Sequence, residues 1–305
     1  MARPSDRTAE ASRAGVLFGL GAYCIWGCLP VFLALMNSVP PLQVVMQRVI
    51  WSCALLAVVV TVLGRWRVIG ALLARPRTAL ALICTAALIS ANWLLFIFAV
   101  QHGQVLSASI AYFVNPLMNI ALGVLILRER LNAPQIAAVA LATLGVVVLA
   151  TAGSATLWLP LSIAITFALY GFIRKLTPAD ALGGLMVETA LLTPLSLLWL
   201  GWCAAHGTLS LGDAAPVKYY LLISGAVTAA PLLLFAAAAK RLRFSTLGFL
   251  QYVAPSLQFL EAVLLFGEKL TPVHIVTFGC IWGGLAIYAM DSIRTNRAEA
   301  VMTPE

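Results

Sequence analysis

The chain has 305 residues, 62% of them hydrophobic and 10% charged, with a mean hydropathy of +0.99 and a formal net charge of +8. Soluble domains carry about 25% charged residues, so a water-soluble fold is excluded, and at ~20 apolar residues per crossing the length suits about ten membrane spans with no large soluble domain. Positive charge in such a chain belongs in cytoplasmic loops, so it does not point to nucleic acid.

The first apolar segment, 15–36, follows Arg3, Arg7 and Arg13. It is longer than a signal-peptide core and has no A-x-A-like site, so it is read as a span. Apolar runs separated by charged or Pro/Gly-rich breaks then predict spans at 42–63, 78–100, 105–127, 134–151, 156–173, 182–203, 218–239, 246–266 and 272–290. With the N-terminus inside, the segments bearing Arg3 to Arg13, Arg65 to Arg77, Arg128, Arg130, Arg174, Lys175, Lys240 to Arg243, Arg294 and Arg297 are all cytoplasmic, and only Lys218 and Lys269 fall outside. This asymmetry orients the chain with both tails cytoplasmic.

Shifting the chain by 139 residues lays 82–150 on 221–289 without a gap. Leu94-Leu95-Phe96 meets Leu233-Leu234-Phe235, Pro116 meets Pro255, Glu129 meets Glu268 and Gly145 meets Gly284. Five spans per repeat is odd, so the second repeat enters from the opposite side, an architecture recurrent in transporters. The expected organisation is a tail (1–14), a first repeat (15–151), a second repeat (156–290) and a C-terminal tail (291–305).

Three charged side chains fall well inside spans: Arg48, Glu188 and Glu261. Each costs roughly 2.5–3.5 kcal/mol at a helix centre on insertion scales, and such residues face a bundle interior or a water-filled cavity. By depth Arg48 and Glu261 can pair, whereas Glu188 lies nearer the inner side. Arg48 is read as shaping an outer gate or countering an anionic group, and Glu188 as a proton or cation site. Structural ion pairing explains the same residues. A second constellation is polar. Tyr112, Asn115, Pro116 and Asn119 share one helical face, and the matching face carries Gln251, Pro255, Gln258 and Glu261. Interrupted helices at matching places in two repeats point to a transporter binding site; interhelical hydrogen bonding is the plainer reading. Tyr23, Trp26, Trp51, Trp93, Tyr170 and Tyr252 surround these faces and suit a planar or cationic ligand.

Cys24, Cys28, Cys53, Cys84, Cys203 and Cys280 lie in spans without CxxC spacing and read as small core residues. There is no HExxH, no P-loop and no Ser/His/Asp set at one depth, so neither enzyme nor metal or cofactor binding is expected. Gly15/Gly19 and Gly279/Gly283 have GxxxG spacing, which suits close helix contact and admits a homodimer through the last span.

Several stretches are specific: GAYCIWGCLPVF (21–32), QRVIWS (47–52), NWLLFIFAV (92–100), SASIAYFVNPLMNIALGVLILRERL (107–131), YGFIRKL (170–176), GLMVETALLTP (184–194) and LQYVAPSLQFL (250–260). Together they resemble the RarD-type branch of the EamA transporters, in the drug/metabolite transporter superfamily, over nearly all of 15–290. The resemblance implies an all-α membrane protein of ten helices in two inverted repeats, in the inner membrane, exporting a small organic solute. It includes Arg48 and Glu188 in its pattern and does not require an acid at Glu261. The expected function is secondary transport, by alternating access, of a small organic metabolite or drug-like solute, amino acid-like or aromatic, with protons as a candidate coupling ion. Ligand contacts are expected from Tyr112, Asn115, Asn119, Gln251 and Gln258, charge coupling or gating from Arg48, Glu188 and Glu261, and hinges at Pro116 and Pro255. The alternative is a non-transporting membrane scaffold or subunit.

Overall fold

The structure, a computed structural model, describes residues 4–125, 131–151, 158–212, 215–239, 241 and 250–302; among them there are helices and no strand. In chain order these are α1 (Pro4–Gly27), α2 (Leu29–Ala34), α3 (Pro41–Val62), α4 (Trp66–Leu73), α5 (Pro76–Gln101) and α6 (Val105–Leu125). There follow α7 (Ala133–Thr151), α8 (Trp158–Leu176), α9 (Ala181–Ala205), α10 (Ala215–Ala239), α11 (Val253–Leu264) and α12 (Pro272–Met302).

The helix ends follow from local chemistry. Proline opens α2, α3 and α5 within the first turn, where a missing N–H costs nothing. The matching helices α3 and α9 are followed by Gly64 (φ 64°) and Gly207 (φ 68°), a left-handed stop that residues with a Cβ rarely take. Six stretches are long and apolar enough to cross a bilayer: Arg13–Ala34, Pro41–Val62, Pro76–Gln101, Trp158–Leu176, Ala181–Ala205 and Pro216–Phe235. Val105–Asn115, Ala133–Leu149 and Val253–Leu264 are shorter apolar helices beside them. Large apolar side chains stand outward along these helices, such as Val62, Leu198 and Leu264, while Arg48, Glu188 and Glu261 are buried. That inversion of the soluble pattern is what a lipid solvent produces.

The packing has a regularity. Helices α3 and α9, α6 and α11, and α7 and α12 lie against one another. The α1–α10 contact is answered by α8 on α5, the α3–α10 contact by α5 on α9, and the α1–α11 contact by α8 on α6. Exchanging the first five predicted spans with the last five therefore maps these contacts onto one another. At α7–α12 the backbones close on glycines that matched in the sequence register. A Cβ on Gly145 would stand 2.9 Å from the Thr277 carbonyl oxygen, and one on Gly284 would stand 2.6 Å from that of Ala138. The GxxxG pair is less used: Gly279 has open space, and Gly283 meets only Leu141. The cysteines also differ from expectation. Only Cys203 is buried, and Cys24, Cys28 and Cys84 are exposed.

Candidate functional site

Helix α10 reaches α3 because Gly225 has no side chain. A Cβ there would stand 2.4 Å from the Trp51 carbonyl carbon. One turn further along α10, Thr228 Oγ1 accepts from Arg48 Nε at 3.2 Å and Nη2 at 3.1 Å, and donates to the Ser224 carbonyl at 2.8 Å. The guanidinium lies over the Trp93 ring, 5.3 Å from its centroid. Arg48 Nη1 has no hydrogen-bond partner, and neither has the buried Ser52 Oγ one turn along α3. Arg48 and Tyr112 are close enough to interact electrostatically. The Tyr112 ring packs edge-on against Phe96 at 5.6 Å and Phe167 at 5.7 Å. Asn115, one turn along α6, is buried with its Oδ1 unpartnered. The side chains of Pro116 and Asn119 lie outside the described residues.

Phe167 leads on to Tyr170, centroids 6.1 Å apart, and Tyr170 leads to Glu188. That carboxylate is fully buried. It accepts from Thr85 Oγ1 at 2.7 Å and from the Tyr170 hydroxyl at 3.4 Å, and it pairs with Arg174 Nε at 3.6 Å. Arg174 Nη2 donates to the Asp180 carbonyl at 3.0 Å. The Asp180 carboxylate takes both Arg65 Nη groups, at 3.0 and 3.2 Å. Burial alone would raise the Asp180 carboxyl, but the Arg65 hydrogen bonds and charge, with the Gly183 N–H, outweigh it and hold it below its ordinary value. One polar chain thus ties α5, α8 and α9 to the α3–α4 connection. At the other end of the α3–α9 seam, Gln43 Nε2 donates to the Thr208 carbonyl at 2.9 Å and its Oε1 accepts from Ser210 N at 2.8 Å.

The α11 residues face α1. Pro30 has no N–H, so the Trp26 carbonyl four residues earlier loses its helical donor. Gln258 Nε2 supplies one at 3.1 Å, leaving its own Oε1 unpartnered. Glu261 lies beside Cys28, and its Oε2 has no hydrogen-bond partner. The Arg48–Glu261 pairing that equal depth allows is not formed: Arg48 is turned to Thr228, and Glu261 lies beside Cys28. Equal depth does not bring side chains together when their helices present different faces. Gln251 and Tyr252 form a turn just ahead of α11, and the Pro255 carbonyl accepts from Ser109 Oγ at 2.9 Å, joining α6 to α11. Gln251 is half-buried in this turn. Trp51, expected near the site, is instead exposed on α3 and bonded to Gln47.

Arg48 and Tyr112 are thus together, a run of rings connects them to Glu188, and Gln258 and Glu261 form a separate group. Two surface grooves, of about 320 and 220 Å³, are apolar. One is lined by Pro40, Leu94, Phe98 and Trp158, the other by Phe259, Phe278 and Trp282, and none of the expected contact residues lines either. Sequence reasoning missed Arg174, Asp180 and Gln43. The available signals were the four-residue turn between α8 and α9, which sets Arg174 beside Asp180, and an amide in the first turn of α3. It also gave Glu268 no role. Its carboxylate accepts from the N–H groups of Val105 at 2.6 Å and Leu106 at 3.1 Å, capping α6.

A helical bundle with apolar side chains outside and charged and amide side chains at its seams is a polytopic membrane protein. Comparison with known proteins makes this particular. Residues 13–151 match the EamA-like transporter family. An uncharacterized transporter of Pseudomonas aeruginosa is 42% identical over 93% of this chain and 96% of its own. The protein RarD of Escherichia coli is 43% identical over 95% of this chain and 98% of its own. A solved crystal structure with 18% identity superposes with a TM-score of 0.56 over 90% of this chain and 96% of that one, a likeness of fold alone. The chain belongs to the RarD-type branch of the EamA transporter family, and is a multi-pass membrane transporter of the drug/metabolite superfamily.

Proposed function

We propose that this chain is a secondary transporter that exports a small organic solute across the inner membrane by alternating access between two inverted five-helix halves, 15–151 and 156–290, with both tails cytoplasmic. The inverted arrangement is supported by the 139-residue register and by packing contacts that exchange with the halves. The orientation rests on the clustering of basic residues in alternate connections. Helices α7 and α12, closed on each other, act as scaffold.

One observation carries the reading. Helices that meet across the two halves bury polar atoms with no partner: Arg48 Nη1, Asn115 Oδ1, Gln258 Oε1 and Glu261 Oε2. A buried group left unsatisfied costs about 1–3 kcal/mol. A scaffold gains nothing by keeping four, whereas a transport site needs them free for the solute. Tyr112, Asn115, Asn119, Gln251 and Gln258 are its proposed contacts, and Pro116 and Pro255 its hinges; the turn at Gln251–Tyr252, just ahead of Pro255, supports the second hinge. Glu188, held by a hydroxyl, a phenol and a guanidinium, is the proposed proton site.

Purified protein in liposomes, alone, should give saturable uptake of at least one member of a panel of amino acids, nucleosides, sugars, polyamines and chloramphenicol-like drugs. Glu188→Gln should flatten the pH dependence of that flux. Flux no greater than in empty liposomes across the panel is the result the scaffold reading requires.

A further inference from the structure

Arg48 is 3% exposed, and no other Lys or Arg is buried to that degree among the described residues. It has five N–H donors and little to give them to. Nε and Nη2 converge on one hydroxyl, Thr228 Oγ1, whose own proton goes to the Ser224 carbonyl. Nη1 has no acceptor. The ion pairs of the described residues are Arg65–Asp180 and Arg174–Glu188, so no carboxylate neutralises this guanidinium. A buried cation without a counter-charge is costly, and in a membrane bundle such a residue is kept for what passes it.

The surroundings narrow the visitor. Trp93 covers a face of the guanidinium, so an acceptor comes in the plane, to Nη1, where planar oxyanions bind best. Ser52 Oγ, buried and unpartnered on the same helix, offers a further donor. Trp93, Phe96, Tyr112 and Phe167 make the neighbouring wall aromatic. A single cation matches a monoanion; a phosphate dianion would leave charge uncompensated in a bundle that already buries Glu188 and Glu261.

We propose that Arg48 is an anion seat: it takes the carboxylate of an organic monoacid whose planar apolar body lies against Trp93, Tyr112 and Phe167. This rests on the transporter reading and names the class of its solute.

The test is binding to detergent-purified full-length protein, read by thermal unfolding and titration calorimetry. The probes are benzoate, phenylacetate and indole-3-acetate, each against its neutral amide, with phenyl phosphate as the dianion. The acids should bind saturably, at least tenfold tighter than the amides and the phosphate. Arg48→Gln should abolish that preference. If Arg48→Gln does not fold, Arg48→Lys, which keeps the charge and loses the planar edge, should weaken the acids at least fivefold. Amides binding as tightly as acids, acids binding Arg48→Gln or Arg48→Lys as they bind the wild type, or no acid binding at all would each overturn the assignment. Proteoliposomes separate the two readings. Saturable flux of a neutral solute without acid binding sinks the anion seat alone. Acid binding without flux of any solute sinks the transporter reading and keeps the seat.

Discussion

Gln258 and Pro30 are 228 residues apart in the chain, yet the geometry couples them. Pro30 removes the N–H that would serve the Trp26 carbonyl, and Gln258 Nε2 replaces it at 3.1 Å. Replacing Gln258 by leucine strands that carbonyl. An unsatisfied buried acceptor costs about 1–3 kcal/mol in general, and interhelical hydrogen bonds inside membrane proteins average ~0.6 kcal/mol with a maximum near ~1.7. Leucine also removes the unpartnered Oε1, which offsets part of the loss, so a destabilisation of about 1 kcal/mol is expected. In a Pro30→Ala background the alanine N–H returns to the Trp26 carbonyl, and Gln258→Leu should cost close to nothing. Reversible unfolding of the four proteins in mixed micelles, followed by helical circular dichroism, gives the cycle. Equal costs of Gln258→Leu in both backgrounds would refute the reasoning and return Gln258 to a role as a solute contact only.

Four further expectations follow from contacts of the same kind. Glu188→Ala, which strands Arg174 and Thr85, should destabilise by about 3 kcal/mol, the lower end for a broken buried pair because Arg174 retains some exposure, and Glu188→Gln by clearly less in the same unfolding assay. Gly225→Val drives a side chain into the Trp51 backbone and should cost about 1–3 kcal/mol by overpacking, with Arg48 pulled off Thr228; a neutral effect would mean that α10 shifts freely. Glu268→Ala should cost about 1 kcal/mol by uncapping α6, seen as faster amide exchange at Val105 and Leu106. Asp180 titrates lower in the folded protein than its ordinary 3.8. Its contribution is therefore complete above that value and is lost as pH falls through the folded pKa. Because the pair with Arg65 is substantially exposed, Asp180→Asn should cost below about 1 kcal/mol at neutral pH, a difference that salt shrinks and acid erases.

The sequence made apolar helices and their breaks legible because each is one-dimensional: an apolar run, a proline or glycine. It also made Arg48 and Glu188 legible, since a charge in an apolar run is costly wherever the helix sits. What it withheld is azimuth. Arg48 and Glu261 share a depth, but one faces α10 and the other α1, and helical periodicity fixes a residue's face only relative to its own helix. Gln258 was read as a member of a polar face; its partner is a main-chain carbonyl, which has no side-chain signature beyond the proline four residues after it. Arg174 was hidden by its position at the end of α8, where it counted as loop charge, although its guanidinium reaches back to a buried carboxylate.

The two ends of the α3–α9 seam are held by different forces. One end is ionic: Arg65 on Asp180, and Arg174 between Asp180 and Glu188. The other is neutral: the Gln43 amide against the main chain at Thr208 and Ser210. In the proposed alternating-access cycle the ends would open in turn, and each opening would cost what its tie contributes. The neutral tie responds to neither pH nor ionic strength across the ordinary range. The ionic tie responds to both, through screening at Arg65–Asp180 and through the charge on Glu188. A proton arriving at Glu188 removes the charge that holds Arg174, and so loosens one end while leaving the other unchanged. A proton gradient acting on two neutral ties would have nothing to distinguish one side from the other; in the proposed proton-coupled cycle this asymmetry would give it a handle.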